Sequence, residues 1–115
     1  MKILVVDDEK DIQTLFEQRF RREIKGHEME FAFAFSGEEA LAYINKHEHE
    51  VVLILSDINM PGMSGLVLLE KIKHLYAVPP PIVMMITAYG DSENYTKAYT
   101  LSLHDALPIY RKSVV

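Results

Sequence analysis

The sequence predicts a doubly wound α/β domain on a parallel sheet, and three observations carry that expectation. The runs Ile3–Val6, Val51–Ser56 and Ile82–Ile86 are short, continuous and apolar, the pattern of strands buried on both faces. Between them lie stretches of helical period. The two kinds of segment alternate as β-α-β-α-β-α-β-α with short connections and no internal linker, repeat or low-complexity stretch. At 115 residues the chain holds one domain and hardly two. Right-handed crossovers then set the functional groups beyond the carboxyl ends of the strands.

Each element has its own signal. Ile3-Leu4-Val5-Val6 is a β-branched run ended by Asp7-Asp8. From Asp8 the period changes: Ile12, Leu15, Phe16, Phe20 and Ile24 recur at helical spacing, Glu17, Arg19, Arg21 and Arg22 fall mostly on the other face as a solvated surface, and Gly26 stops the helix. Met29–Phe35 alternates Phe31, Phe33 and Phe35 with Ala32 and Ala34, a core-facing strand. Ser36 and Glu39 form a capping box that opens a helix through Ala40, Leu41 and Ile44. Val51–Ser56 is the third strand, terminated by Asp57. The loop Asn59–Gly65 leads into a helix carrying Leu66, Leu69, Ile72 and Leu75. Pro79-Pro80-Pro81 breaks that helix, Ile82–Ile86 follows as the fourth strand, and Gly90 turns the chain into a helix over Asp91–Leu101.

Composition narrows the function. The chain is 49% hydrophobic and 25% charged, globular values. Twelve Lys and Arg against seventeen Asp and Glu give a net charge of −5, the wrong sign for neutralising phosphates, so direct contact with nucleic acid is not expected. The absence of cysteine excludes disulfides, thiolate nucleophiles and Cys-type zinc sites. The longest apolar runs are about five residues, far short of the ~20 that span a bilayer, so no membrane segment is expected. Met1-Lys2 leads straight into a strand without a signal-peptide pattern, and the expected location is cytoplasmic.

Three polar markers follow buried strands: Asp7-Asp8, Asp57 and Thr87. In an open α/β sheet these strand ends converge on one crevice. Carboxylates crowded there repel, and a hard divalent cation, Mg²⁺ first, resolves the conflict with oxygen ligands and water. One carboxylate can then act as nucleophile toward a phosphoryl group. Each marker alone also has a plainer reading: Asp7 as a helix N-cap, Asp57 as a turn aspartate before Pro61-Gly62, Thr87 as a strand-end threonine. His47 and His49, at i, i+2 beside Glu48 and Glu50, read as a solvated helix end, while His27, His74 and His104 have no partner that spacing identifies.

Taken together, Ile3-Leu4-Val5-Val6-Asp7-Asp8-Glu9, Ser56-Asp57-Ile58-Asn59-Met60-Pro61-Gly62-Met63-Ser64-Gly65 and Ile86-Thr87-Ala88 resemble the receiver domain of two-component response regulators, from Met1 to about Tyr99. The resemblance implies a flavodoxin-like sheet of strand order 2-1-3-4-5. It further implies that Asp57 accepts a phosphoryl group from a sensor histidine kinase or phosphotransfer protein, that Asp8 ligates Mg²⁺ directly, and that Asp7 acts through a water. Asn59 matches the residue whose main-chain carbonyl is the third protein ligand. Thr87 matches the switch hydroxyl, Ala88 the small residue beside the phosphate, and Asn59 and Tyr89 the positions governing attack by water. Pro61 and Gly65 match loop residues shaping the turn below the site. Such a domain is a signalling switch rather than a turnover enzyme, read by an effector domain or downstream protein. A phosphorylation-independent binding module is the alternative, and a Mg²⁺-dependent aspartyl-phosphate phosphohydrolase a third class. The latter needs D-x-D after the first strand, where this chain has Asp7-Asp8-Glu9.

The C-terminal part departs from the family pattern. The family's lysine after a fifth strand falls near Ile109, where no lysine stands, and Lys112 is the nearest candidate but out of register. The fifth strand and helix are therefore expected to be doubtful or absent. Thr100–Ile109 instead resembles the conceptual translation of a common short-read sequencing adapter. The expected organisation is a receiver-like domain over 1–99 and a non-native tail over 100–115, with metal binding surviving better than switching.

Overall fold

The computed structural model describes residues 1–47, 50–75 and 81–86. They form β1 (Lys2–Val6), α1 (Asp11–Arg19), α2 (Arg21–Lys25), β2 (Glu30–Ala34), α3 (Gly37–Lys46), β3 (Val51–Asp57), α4 (Gly65–Leu75) and β4 (Ile82–Ile86). The strands make a parallel sheet of order β2-β1-β3-β4. Among the described residues this is the expected order 2-1-3-4. The fifth position of the sheet, the helix read over Asp91–Leu101, and Thr87, Ala88, Tyr89 and Lys112 lie outside the described residues.

The two central strands are continuous apolar runs, and burial follows: Ile3, Leu4, Val5 and Val6 are almost wholly excluded from solvent, as are Leu53, Ile54 and Leu55. Fully burying each such side chain contributes roughly 1.5–3 kcal/mol, which makes this strand pair the energetic centre of the fold. Alternation sends their side chains to two cores. Ile3, Val5, Leu53 and Leu55 meet Ile12, Phe16 and Phe20 on one face, while Leu4, Val6 and Ile54 meet Ala40, Ile44, Leu68 and Ile72 on the other. β2 is less buried, and its Phe31 and Phe33 complete an aromatic cluster with Phe16, whose ring lies 5.4 Å from that of Phe31 and 6.1 Å from that of Phe33.

One expectation is corrected here. The helical pattern from Asp8 to Ile24 reads as a single helix, but the structure breaks it at Phe20, whose backbone turns to φ −108° and ψ 28°. The ladder continues across the break, with Phe20 N–H on the Phe16 carbonyl at 2.9 Å and Ile24 N–H on the Phe20 carbonyl at 3.0 Å. The kink accompanies burial of the Phe20 ring, 5.6 Å from Phe16 and 5.5 Å from Phe31. The capping box is present: Ser36 Oγ accepts from Glu39 N–H at 3.1 Å. In return Phe35 N–H donates to Glu39 Oε2 at 3.1 Å, one residue earlier than in the usual box.

The chain leaves β1 for β2 on one side and returns to β3 on the other. That reversal at β1 opens a crevice at the carboxyl ends of β1 and β3, which places the candidate site.

Candidate functional site

β1 ends at Val6, and Asp7 continues its course, donating its N–H to the Ala34 carbonyl at 3.0 Å. Only 1% of Asp7 is exposed. Its Oδ1 accepts the Glu9 N–H at 2.8 Å, a local turn that swings the chain away from the sheet. The N-cap of α1 is Lys10, with no side-chain cap, so the reading of Asp7 as an N-cap does not hold. Asp8 is exposed.

Across the crevice Asp57 is the last residue of β3, 8% exposed, and stands opposite Ile86. Its Oδ1 accepts from Asn59 N–H at 3.4 Å, so the turn-aspartate reading is met in part. The parallel register sets Val6 beside Ser56, and one step further Asp7 and Asp57 become neighbours. Asp7, Asp8 and Asp57 each offer a carboxylate oxygen within 4.8 Å of the others.

At an effective dielectric of ~20, two ionised carboxylates at that separation repel by about 3 kcal/mol. A hard divalent cation offsets that repulsion. All three side chains offer oxygen, two of them are sheltered, and the exposed third leaves an open side for water, a donor set that fits Mg²⁺.

The β3–α4 loop is anchored from several directions. Met60 is buried in the second core, and Met63 packs against it. A Cβ at Gly37 would fall 2.6 Å from Met63 Sδ, so the start of α3 makes room for that side chain. Gly62 takes φ +77°, a conformation glycine adopts without steric cost. Gly65 is a close-approach position: a Cβ there would overlap the Asp57 carbonyl oxygen and lie 3.0 Å from Ile58 Cα. Its N–H closes the loop on the Ile58 carbonyl at 2.8 Å. Asn59 and Pro61 are exposed on this loop.

Sequence reading assigned no role to Ser56, which is wholly buried and donates its Oγ–H to the Asp57 carbonyl at 3.0 Å. The available signal was a hydroxyl interrupting an apolar run just before a carboxylate.

It also missed a charged cluster at the opposite end of the sheet. Lys2 Nζ lies 3.2 Å from Glu50 Oε2, 3.8 Å from Glu30 Oε1 and 5.4 Å from the Tyr43 ring centroid. His47 stacks on Tyr43 at 4.2 Å and bonds Glu50 through Nδ1 at 2.7 Å. His47 therefore has partners rather than being simply solvated, while His49 lies outside the described residues. Tyr43, then Glu50, raises the Lys2 pKa, and the bonds from His47 and then Lys2 hold Glu50 below the usual carboxylate range.

A family model for the response regulator receiver domain matches residues 3–108. The chain is 36% identical over 106 residues to the DNA-binding transcriptional regulator NtrC of Salmonella typhimurium, covering 92% of this chain and 21% of that protein. With NtrC of Escherichia coli K12 the identity is 35% over 106 residues, with the same coverage. The chain thus spans about a fifth of the length of these curated relatives. Among solved structures, a response regulator receiver domain protein from Clostridium thermocellum superposes with a TM-score of 0.60 at 32% identity, covering 86% of this chain and 74% of that one. The N-terminal domain of a receiver protein from Methanoculleus marisnigri gives 0.63 at 30%, covering 92% of each chain.

Proposed function

Because the chain belongs to the response regulator receiver domain family, we propose that it is a phosphorelay switch whose Asp57 accepts a phosphoryl group from a histidine kinase or phosphotransfer protein. The observation that carries this reading is the position of Asp57 at the end of a central strand, its carboxylate within 4.8 Å of those of Asp7 and Asp8.

In this reading Asp7, Asp8, Asp57 and the main-chain carbonyl of Asn59 would hold Mg²⁺. When bound, the ion offsets the carboxylate repulsion and the charge that develops on the transferring group. An ionised Asp57 oxygen attacks phosphorus, and an O–P bond forms as the P–N bond of the phosphohistidine breaks. The electron pair stays on the imidazole nitrogen, which takes a proton from solvent. The Thr87 hydroxyl then bonds a phosphoryl oxygen and switches the domain, with Ala88 leaving room and Tyr89, together with Asn59, governing access of water. The domain catalyses its own phosphorylation, slowly loses the phosphoryl group to water and turns over no other substrate. It works in the cytoplasm and is read by an effector domain or downstream protein, without itself contacting nucleic acid.

The receiver segment in this reading is 1–99, and 100–115 is a non-native tail, although the family match extends to residue 108. Resequencing the source gene tests the boundary: a genuine reading frame through codons 100–109 refutes it. The lack of a lysine in register near Ile109 favours a second reading, a binding module that never accepts phosphate.

One experiment separates the readings. The protein is incubated with Mg²⁺ and acetyl phosphate and measured by intact mass. One added phosphoryl group, absent in Asp57→Ala, is expected. A folded protein with no adduct supports the binding module, and rapid multiple turnover of a phosphomonoester supports a phosphohydrolase.

A further inference from the structure

We propose that Ser56 is a positioning residue for the phosphoacceptor, acting through the peptide that joins Asp57 to Ile58; the inference rests on Asp57 being the acceptor. Three restraints converge on this peptide and the next. The Ser56 hydroxyl donates to the Asp57 carbonyl at 3.0 Å. Gly65, the first residue of α4, lies so close to the same carbonyl oxygen that no side chain fits between them. The Gly65 N–H holds the following carbonyl, that of Ile58, at 2.8 Å.

These contacts bear on both ends of the site. The plane of the Asp57–Ile58 peptide sets the direction in which the Asp57 side chain leaves the end of β3. The same plane starts the loop that carries Asn59, whose N–H reaches back to Asp57 Oδ1 at 3.4 Å. Gly65 supplies a steric stop on one side of the carbonyl, and the Ser56 hydroxyl supplies a directional attraction.

The local sequence supports a specific role. Ser56 is 0% exposed and follows Val51–Leu55, a run with no other polar side chain. It stands in register with Val6 on β1 and Met85 on β4, so apolar strands flank it. A buried hydroxyl among such neighbours costs stability unless it is bonded, and an alanine would fill the position with less to satisfy. Placed here, the hydroxyl fixes the peptide that begins at the carbonyl of the residue bearing the reacting carboxylate. Misplacement of a reacting group by about 1 Å can slow transfer by about 10²-fold.

The test compares wild type, Ser56→Ala, Ser56→Thr and Asp57→Asn. Each is treated with acetyl phosphate at saturating Mg²⁺, and the rate constant and final extent of labelling are recorded separately. Thermal unfolding and the amide NMR shifts of Ile58 and Asn59 are measured without metal. Ser56→Ala is expected to lower the rate constant about tenfold while reaching the same final extent, and to move the two amide shifts in the metal-free protein. Ser56→Thr, which keeps the hydroxyl, is expected to restore the rate. A merely structural role lowers the final extent and the unfolding temperature while sparing the rate constant, and that result overturns the inference. So does a wild-type rate in Ser56→Ala. If Ser56→Thr does not fold, the rate constant and amide shifts of Ser56→Ala decide alone. Failure of wild type itself to label, with a folded spectrum, refutes the acceptor reading instead, and labelling of Asp57→Asn at the wild-type rate does the same.

Discussion

Substituting Gly65 by alanine tests the geometry of the site most directly. An added Cβ overlaps the Asp57 carbonyl oxygen and stands 3.1 Å from the Asp57 carbonyl carbon and 3.0 Å from Ile58 Cα, against ordinary carbon contacts of roughly 3.5–4.0 Å. All three neighbours are backbone, so relief requires α4 and the end of β3 to separate by about 1 Å. Overpacking of this kind costs about 1–3 kcal/mol or more. Alanine's better helix propensity returns at most ~1 kcal/mol, and less at the first helical position. The expected net loss is about 2 kcal/mol, a fall in Tm of roughly 8 °C or more, read by thermal and urea denaturation. Because the displaced backbone carries Asp57, Mg²⁺-dependent labelling by acetyl phosphate should also slow. Gly62→Ala is the control. Gly62 also has a positive φ, +77°, but among the described residues no atom lies within 4 Å of its would-be Cβ, so the substitution should cost about 1 kcal/mol and leave labelling intact. A Gly65→Ala variant that stays within about 0.5 kcal/mol of wild type and labels at the wild-type rate would rule out this close approach as a constraint on the site.

Three further outcomes are expected. Asp8→Asn, at the exposed member of the carboxylate trio, should raise metal-free stability by about 1 kcal/mol, the repulsion being screened by solvent, and should abolish the rise in Tm expected of wild type on adding Mg²⁺. His27, at the end of α2, has φ 59°, and His27→Gly should therefore stabilise the fold by about 0.5–1 kcal/mol in urea titrations, with no gain counting against the strain. Glu50 is held below its ordinary pKa of 4.5 by His47 and then Lys2, so its contribution is present above about pH 4.5 and is lost as pH falls through the lower folded value. Glu50→Gln should flatten that acid limb of the stability profile, and an unchanged limb would remove Glu50 from the account.

The central strands β1 and β3 were legible in the amino-acid pattern because burial on both faces demands unbroken apolar runs, while β2, less buried, was legible from the alternation of Phe with Ala. Asp7, Asp8 and Asp57 were legible for a related reason. A carboxylate that ends a buried strand announces the end of the sheet, and parallel topology sends those ends to one crevice. Their convergence was legible, but the separation of 4.8 Å was not, since it depends on the register that sets Val6 beside Ser56. The break at Phe20 was hidden because helical hydrogen bonding runs through it and the ring's partner, Phe31, arrives from another strand. Lys2 and Glu50 are separated by 48 residues and meet where β1 and β3 begin side by side. The same holds at the other end of the sheet, where Gly65 excludes a side chain for the sake of a carbonyl eight residues earlier. Periodicity reports which face of an element is buried, and contacts across elements depend on distances that packing alone sets.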